Sequence, residues 1–79
     1  MIEFQVDLNK VEDVKLFVKT AEFYDVDVDV HSQNRKFTVD GASIMGLFSL
    51  DLSTPVIVYI EDIEAAESFK NDIYKLIVE

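Results

Sequence analysis

No cysteine occurs in the 79 residues, so a disulfide framework, a cysteine-based metal site and a thiol nucleophile are all excluded. Cations are scarce: seven Lys and Arg stand against sixteen Asp and Glu, leaving a net charge of -9. That balance opposes binding to nucleic acid and to anionic membrane surfaces, because both depend on neutralising phosphates with cations. The first residues, MIEFQVDL, have neither a basic n-region nor a long apolar run. Secretion and membrane insertion therefore lack support, and a cytoplasmic protein is expected. Repeats, linkers and low-complexity segments are also missing. At this length residues 1–79 are read as one domain, near the size at which folding buries only about 60% of the unfolded chain's surface.

What is present alternates. Ile2, Phe4, Val6 and Leu8 are interleaved with Glu3, Gln5 and Asp7, a period of two that predicts a half-buried strand. Asn9 and Glu12 stand at capping-box spacing, and Val11, Val14, Phe17, Val18 and Ala21 recur with helical period, predicting a helix from about Lys10 to Tyr24. Leu16 falls off that stripe, on the outer side between Lys15 and Lys19. The run DVDVDVH, Asp25 to His31, predicts a second strand with Val26, Val28 and Val30 inward. It begins like a calcium loop, but Val30 stands where such a loop needs its turn glycine and Lys36 where it needs a bidentate glutamate, so no metal site is read there. Ser32 to Arg35 form a polar turn, and Phe37 and Val39 a short return strand ending at Asp40-Gly41.

Past the Ser53-Thr54-Pro55 break, Val56 to Ile60 is apolar on both faces, as an interior strand requires. Asp62 to Val78 carries Ala66, Phe69, Ile73, Leu76 and Ile77 on one helical stripe. The order β-α-β-β-α-β-α predicts an α+β fold, with three helices covering one face of a four-stranded antiparallel sheet. Its other face would be open and acidic, with Glu3, Asp7, Asp25, Asp27, Asp29 and Asp40, a solvated surface that resists aggregation.

The chain is organised around Gly41 to Glu61, where a short apolar helix opened by Ser43 feeds the long apolar strand. Leu47, Leu50 and Leu52 suffice to hold that helix on a core. Ile44, Met45 and Phe48 are left over, and clustered apolar groups of this adaptable kind mark a protein contact. Ser43 suits a helix cap in its own right.

The order of elements, the segment FVKTAEFYDVDVDV from Phe17 to Val30 and above all SIMGLFSLDL from Ser43 to Leu52 resemble HPr, the small phosphocarrier family of the bacterial sugar phosphotransferase system. The resemblance covers nearly the whole chain. It implies an HPr-like open-faced β-sandwich with strand order 1-4-2-3. It also makes Ser43 the counterpart of the serine that HPr kinase phosphorylates, and Ile44, Met45, Phe48 and Leu16 the counterparts of the partner-binding patch. The family's phosphoryl-accepting motif, G-[IL]-H-A-R-P-A, is replaced by Leu8-Asn9-Lys10-Val11-Glu12-Asp13-Val14. Lys10 falls where the histidine belongs and Glu12 where the arginine belongs, and a carboxylate there would repel a phosphoryl group.

No catalytic residue, cofactor or metal is therefore expected. The lone histidine, His31, is read as a surface residue at a strand end, since a nucleophilic role needs positioned partners. The expected function is a non-catalytic regulatory module, controlled through Ser43 and bound by proteins such as HPr kinase, a transcriptional regulator or a phosphotransferase-system component. The alternatives are an unregulated interaction domain, including one that forms a homodimer, and more remotely a phosphocarrier using another residue.

Overall fold

A computed structural model describes residues 2–78. Strand β1 (Ile2–Val6) leads into helix α1 (Val11–Phe23), followed by strands β2 (Asp29–His31) and β3 (Thr38–Asp40). Helix α2 (Ile44–Phe48), strand β4 (Val56–Ile60) and helix α3 (Ile63–Asp72) complete the order, with a 3-10 turn at Tyr74–Leu76. The sheet is antiparallel with order β1-β4-β2-β3. β4 is thus interior, and its Val56, Ile57, Val58 and Ile60 are all buried, as an apolar run flanked by strands on both sides demands.

Register sorts the side chains into two faces. Phe4, Val58, Val30 and Val39 lie side by side on the helical face, where the core forms around Phe17, Phe69, Leu47 and Ile73, all fully buried. Phe69 anchors it, with its ring 5.3 Å from that of Phe17 and 6.5 Å from that of Phe4. On the opposite face run two rows, Glu3-Tyr59-Asp29-Asp40 and Gln5-Ile57-His31-Thr38.

That outer face is less open and less acidic than the alternation predicts. The β2–β3 turn folds back over it: Arg35 donates two hydrogen bonds of 2.9 Å to the Glu3 carboxylate, and Gln33 donates to Gln5 Oε1 and to the Pro55 carbonyl. Ile57 beneath is left only 6% exposed. Asp25 and Asp27 precede the sheet rather than lying in it.

Other boundaries also shift. β2 starts at Asp29 instead of Asp25: its ladder with β4 begins at Asp29 and Tyr59, and β4 ends at Ile60, which leaves Asp25 to Asp27 with no part of β4 to pair with. Asn9 does not cap α1; Lys10 holds the cap position without a side-chain hydrogen bond, while the Asn9 N–H donates to Asp7 Oδ1 at 3.1 Å. Val11, placed on the buried stripe by its spacing, is 58% exposed at the first position of the helix. α3 stops at Asp72 instead of running to Val78. Leu76 and Val78 instead bond the outer edge of β1, through Asp7 N–H to Leu76 O and Val78 N–H to Gln5 O, which satisfies edge groups a continued helix would leave bare. Among the described residues no helix is long and apolar enough to cross a membrane.

Candidate functional site

Two short backbone bonds set up α2. Gly41 N–H donates to Val28 O and Ser43 N–H to Asp40 O, so the helix begins directly off the end of β3. Ser43, extended at φ -108 and ψ 108, then caps it: its Oγ accepts the Gly46 N–H at 3.0 Å. Gly46 brings the helix onto β3, since a Cβ there would lie 3.2 Å from Val39 Cβ. At the far end Ser49 Oγ donates to Gly46 O at 2.6 Å, and Leu50 N–H closes a tighter turn onto Leu47 O. The next turn is held by Asp51, whose carboxylate accepts the hydroxyl and backbone N–H of Ser53. Those bonds, the hydroxyl's first, hold its carboxyl below the usual aspartate range.

A five-residue helix seated this way divides its side chains. Leu47 is fully buried, Leu50 nearly so, and Leu52 half-buried against the core. Met45 is 82% exposed and Phe48 48%, so both project into solvent. Ile44 differs from them: it is half-buried, packs on the core and borders a recess of about 550 Å³ outside α1, together with Leu16, Glu12, Lys15, Lys19 and Glu22. Leu16, the off-stripe leucine, is likewise half-buried and core-packed rather than freely exposed. The structure thus brings Leu16 and Ile44 together around one recess, while Met45 and Phe48 stand clear of it on the exposed side of α2.

Ser43 sits in acidic surroundings. Asp40 uses its carboxylate to accept the Ala42 N–H at 2.9 Å. Glu22, Asp25, Asp27 and Asp40 line a shallow recess beside Ala42. Among the described residues no group of three or more His, Asp or Glu side chains is placed to hold a metal ion. His31 is on the outer sheet face, its Nδ1 2.8 Å from Thr38 Oγ1, across the sheet from the helices.

The sequence reading passed over one apolar feature. Phe23 is 80% exposed at the end of α1 and borders a second recess, of about 400 Å³, with Leu16, Lys19, Thr20 and Asp72. Its spacing of seven from Leu16, off the core stripe, is the signal that could have found it.

No protein-family model matches this chain, and no curated protein matches it. Solved structures do. HPr-C-His from Thermoanaerobacter tengcongensis is 26% identical over 94% of this chain and 92% of that one, with a TM-score of 0.73. Phosphocarrier protein HPr from Bacillus anthracis is 25% identical over 90% and 94%, with a TM-score of 0.69. Crh, the catabolite repression containing protein of Bacillus subtilis seen as a swapped, intertwined dimer, is 24% identical over 100% and 93%, at 0.64, and bears on the fold alone. The fold of this chain is HPr-like, with the sheet order and three helices on one face that its sequence resemblance implies.

Proposed function

We propose that this chain is a non-catalytic HPr-like regulatory module related to the sugar phosphotransferase system, working in the cytoplasm. It binds protein partners through Ile44, Met45, Phe48 and Leu16 and is controlled by phosphorylation of Ser43. The observation that carries this reading is the exposure of Met45 and Phe48, 82% and 48%, on a helix whose core contacts are already supplied by Leu47 and Leu50. Large apolar groups kept in solvent beside a helix-capping serine are suited to a switchable contact. A phosphate on Ser43 adds about two negative charges next to Ile44 and close to Asp40. It would repel partners that present carboxylates to α2 and favour those that present arginine.

The chain does not itself carry phosphoryl groups in this reading, since Lys10 and Glu12 stand at the start of α1 where the resemblance calls for histidine and arginine. Phosphoenolpyruvate with the general phosphotransferase enzyme should leave the intact mass unchanged, whereas HPr kinase with ATP should add one phosphate, lost in Ser43→Ala. An acid-labile phosphate on Lys10 or His31 would restore a carrier role. No incorporation by a competent kinase, or equal incorporation in Ser43→Ala, would remove the regulatory one. A second reading, an unregulated module that pairs with itself, draws on the same exposed Met45 and Phe48; a dimeric mass in sedimentation together with an unmodified Ser43 would support it.

A further inference from the structure

Seven cations serve a chain with sixteen acids, yet two of the seven, Lys15 and Lys19, stand one turn apart on the outside of α1. Glu12 lies three residues before the first and Glu22 three residues after the second. The spacing of three, four and three places all four on a single helical stripe. All are exposed, and all border the recess that Leu16 and Ile44 share. None of the four is committed to a direct ion pair: among the described residues the one ion pair is Arg35 with Glu3, so none of these four charges has an opposite charge within contact distance. The two lysines repel each other at their spacing of four, while Glu12–Lys15 and Lys19–Glu22, at a spacing of three, give the helix a small support of similar size.

Along the stripe the order of charge is negative, positive, positive, negative, the same in either direction. A second copy of α1 laid in register against it, parallel or antiparallel, therefore sets lysine on lysine and glutamate on glutamate. Such like-charge contacts are a strong discriminator between partners. The complementary occupant has the inverse order, with carboxylates at its two central positions and cations at its two outer ones.

We propose that the outer stripe of α1 docks a helix of a different protein, whose facing stripe reads K-x2-E-x3-E-x2-K and which places an apolar side chain in the recess at Leu16 and Ile44. This rests on the reading of α2 as a protein-binding face, because Ile44 belongs to both, and it specifies the partner's chemistry. Such a contact weakens as salt rises.

The test is a titration of the full, 15N-labelled chain, carried to millimolar peptide. One synthetic helix carries the K-x2-E-x3-E-x2-K stripe beside a leucine, and the other carries the charge-inverted stripe. The complementary helix is expected to shift the amide signals of Lys15, Leu16, Lys19 and Ile44 and to bind about tenfold more tightly than the inverted one. In Lys15→Glu/Lys19→Glu, which leaves four carboxylates on the stripe, each helix meets two attractive and two repulsive pairings and the preference should disappear; adding Glu12→Lys and Glu22→Lys inverts the stripe and should reverse it. Equal binding of the two helices by the wild-type chain, or movement of neither set of signals, overturns the proposal. Phe48→Ala separates it from the reading beneath: a charge preference that survives this change keeps the α1 assignment whatever Phe48 does, whereas binding that needs Phe48 but ignores charge keeps the patch and overturns the stripe.

Discussion

Gly41 donates its N–H to the carbonyl of Val28 at 2.7 Å, and a Cβ on Gly41 would come within 2.7 Å of Val28 Cγ1 and 3.0 Å of that same carbonyl oxygen. No positive φ is involved; close approach alone demands glycine here. The contact turns the end of β3 into α2, so it positions Ser43. Gly41→Ala must displace either a buried valine or the backbone, and is expected to cost about 1 to 3 kcal/mol. A denaturant midpoint equal to wild type would show that the turn relaxes freely.

Ser43 has a structural duty that any phosphorylation experiment has to separate from regulation. Its Oγ is the acceptor for Gly46 N–H at 3.0 Å, so Ser43→Ala should lose about 1 kcal/mol, while Ser43→Gly should lose only a few tenths, as expected for cap positions. Chemical denaturation of the two variants checks this. Equal stability of all three proteins would mean that α2 does not depend on its cap.

Much of this fold was legible because burial repeats with a local period. The alternation from Ile2 to Val6, the Val14-Phe17-Val18-Ala21 stripe and the doubly apolar Val56 to Ile60 each name an element and its buried side. What was not legible depends on distant partners. Val26 and Val28 alternate as a strand would, but period cannot say that β4 ends at Ile60. Leu76 and Ile77 fit a helical stripe equally well before β1 claims that segment through Val6 and Ile77. The return of Arg35 to Glu3 spans 32 residues and has no local signature. In the candidate site, Ser43 caps α2 and Met45 and Phe48 are exposed, whereas a helix of five residues is too short for periodicity to show that Ile44 turns inward.

The pair that closes the outer face makes a pH prediction. Two hydrogen bonds from Arg35 lower the Glu3 carboxyl below the usual glutamate range; partial desolvation opposes this, and the charges of Arg35 and then His31 reinforce it. A folded value below the unfolded one means that the ionised form is favoured by folding. The stabilisation is therefore complete above the unfolded value and is lost as pH falls through the folded one. Carboxyl-carbon NMR titration should give Glu3 a depressed midpoint that returns to the ordinary range in Arg35→Gln and in Arg35→Gly. Arg35 has φ 62, a left-handed conformation that glycine adopts without penalty, so Arg35→Gly should be the more stable of the two variants. An ordinary midpoint in the wild type would show that the β2–β3 turn does not hold Glu3 in solution.

Phe48 and Phe69 provide the sharpest contrast between a contact surface and a core. Phe69 is fully buried against Phe17, Phe4 and Tyr24, and Phe69→Ala should cost about 3 to 5 kcal/mol through lost transfer energy and the cavity left behind. Phe48 is 48% exposed, so its truncation gives up the burial of only about half a side chain. Scaled by the usual 25 cal/mol per Å², the roughly 100 Å² that such a ring keeps from water amounts to about 2 kcal/mol, so Phe48→Ala should cost about that much or less, short of the cost at Phe69. Unfolding curves of the two variants under identical conditions test this without any partner. If Phe48→Ala falls as far as Phe69→Ala, the ring is part of the core and cannot serve as the anchor of a docking patch. If stability holds while association with a captured partner weakens, the energy of that ring belongs to the interface.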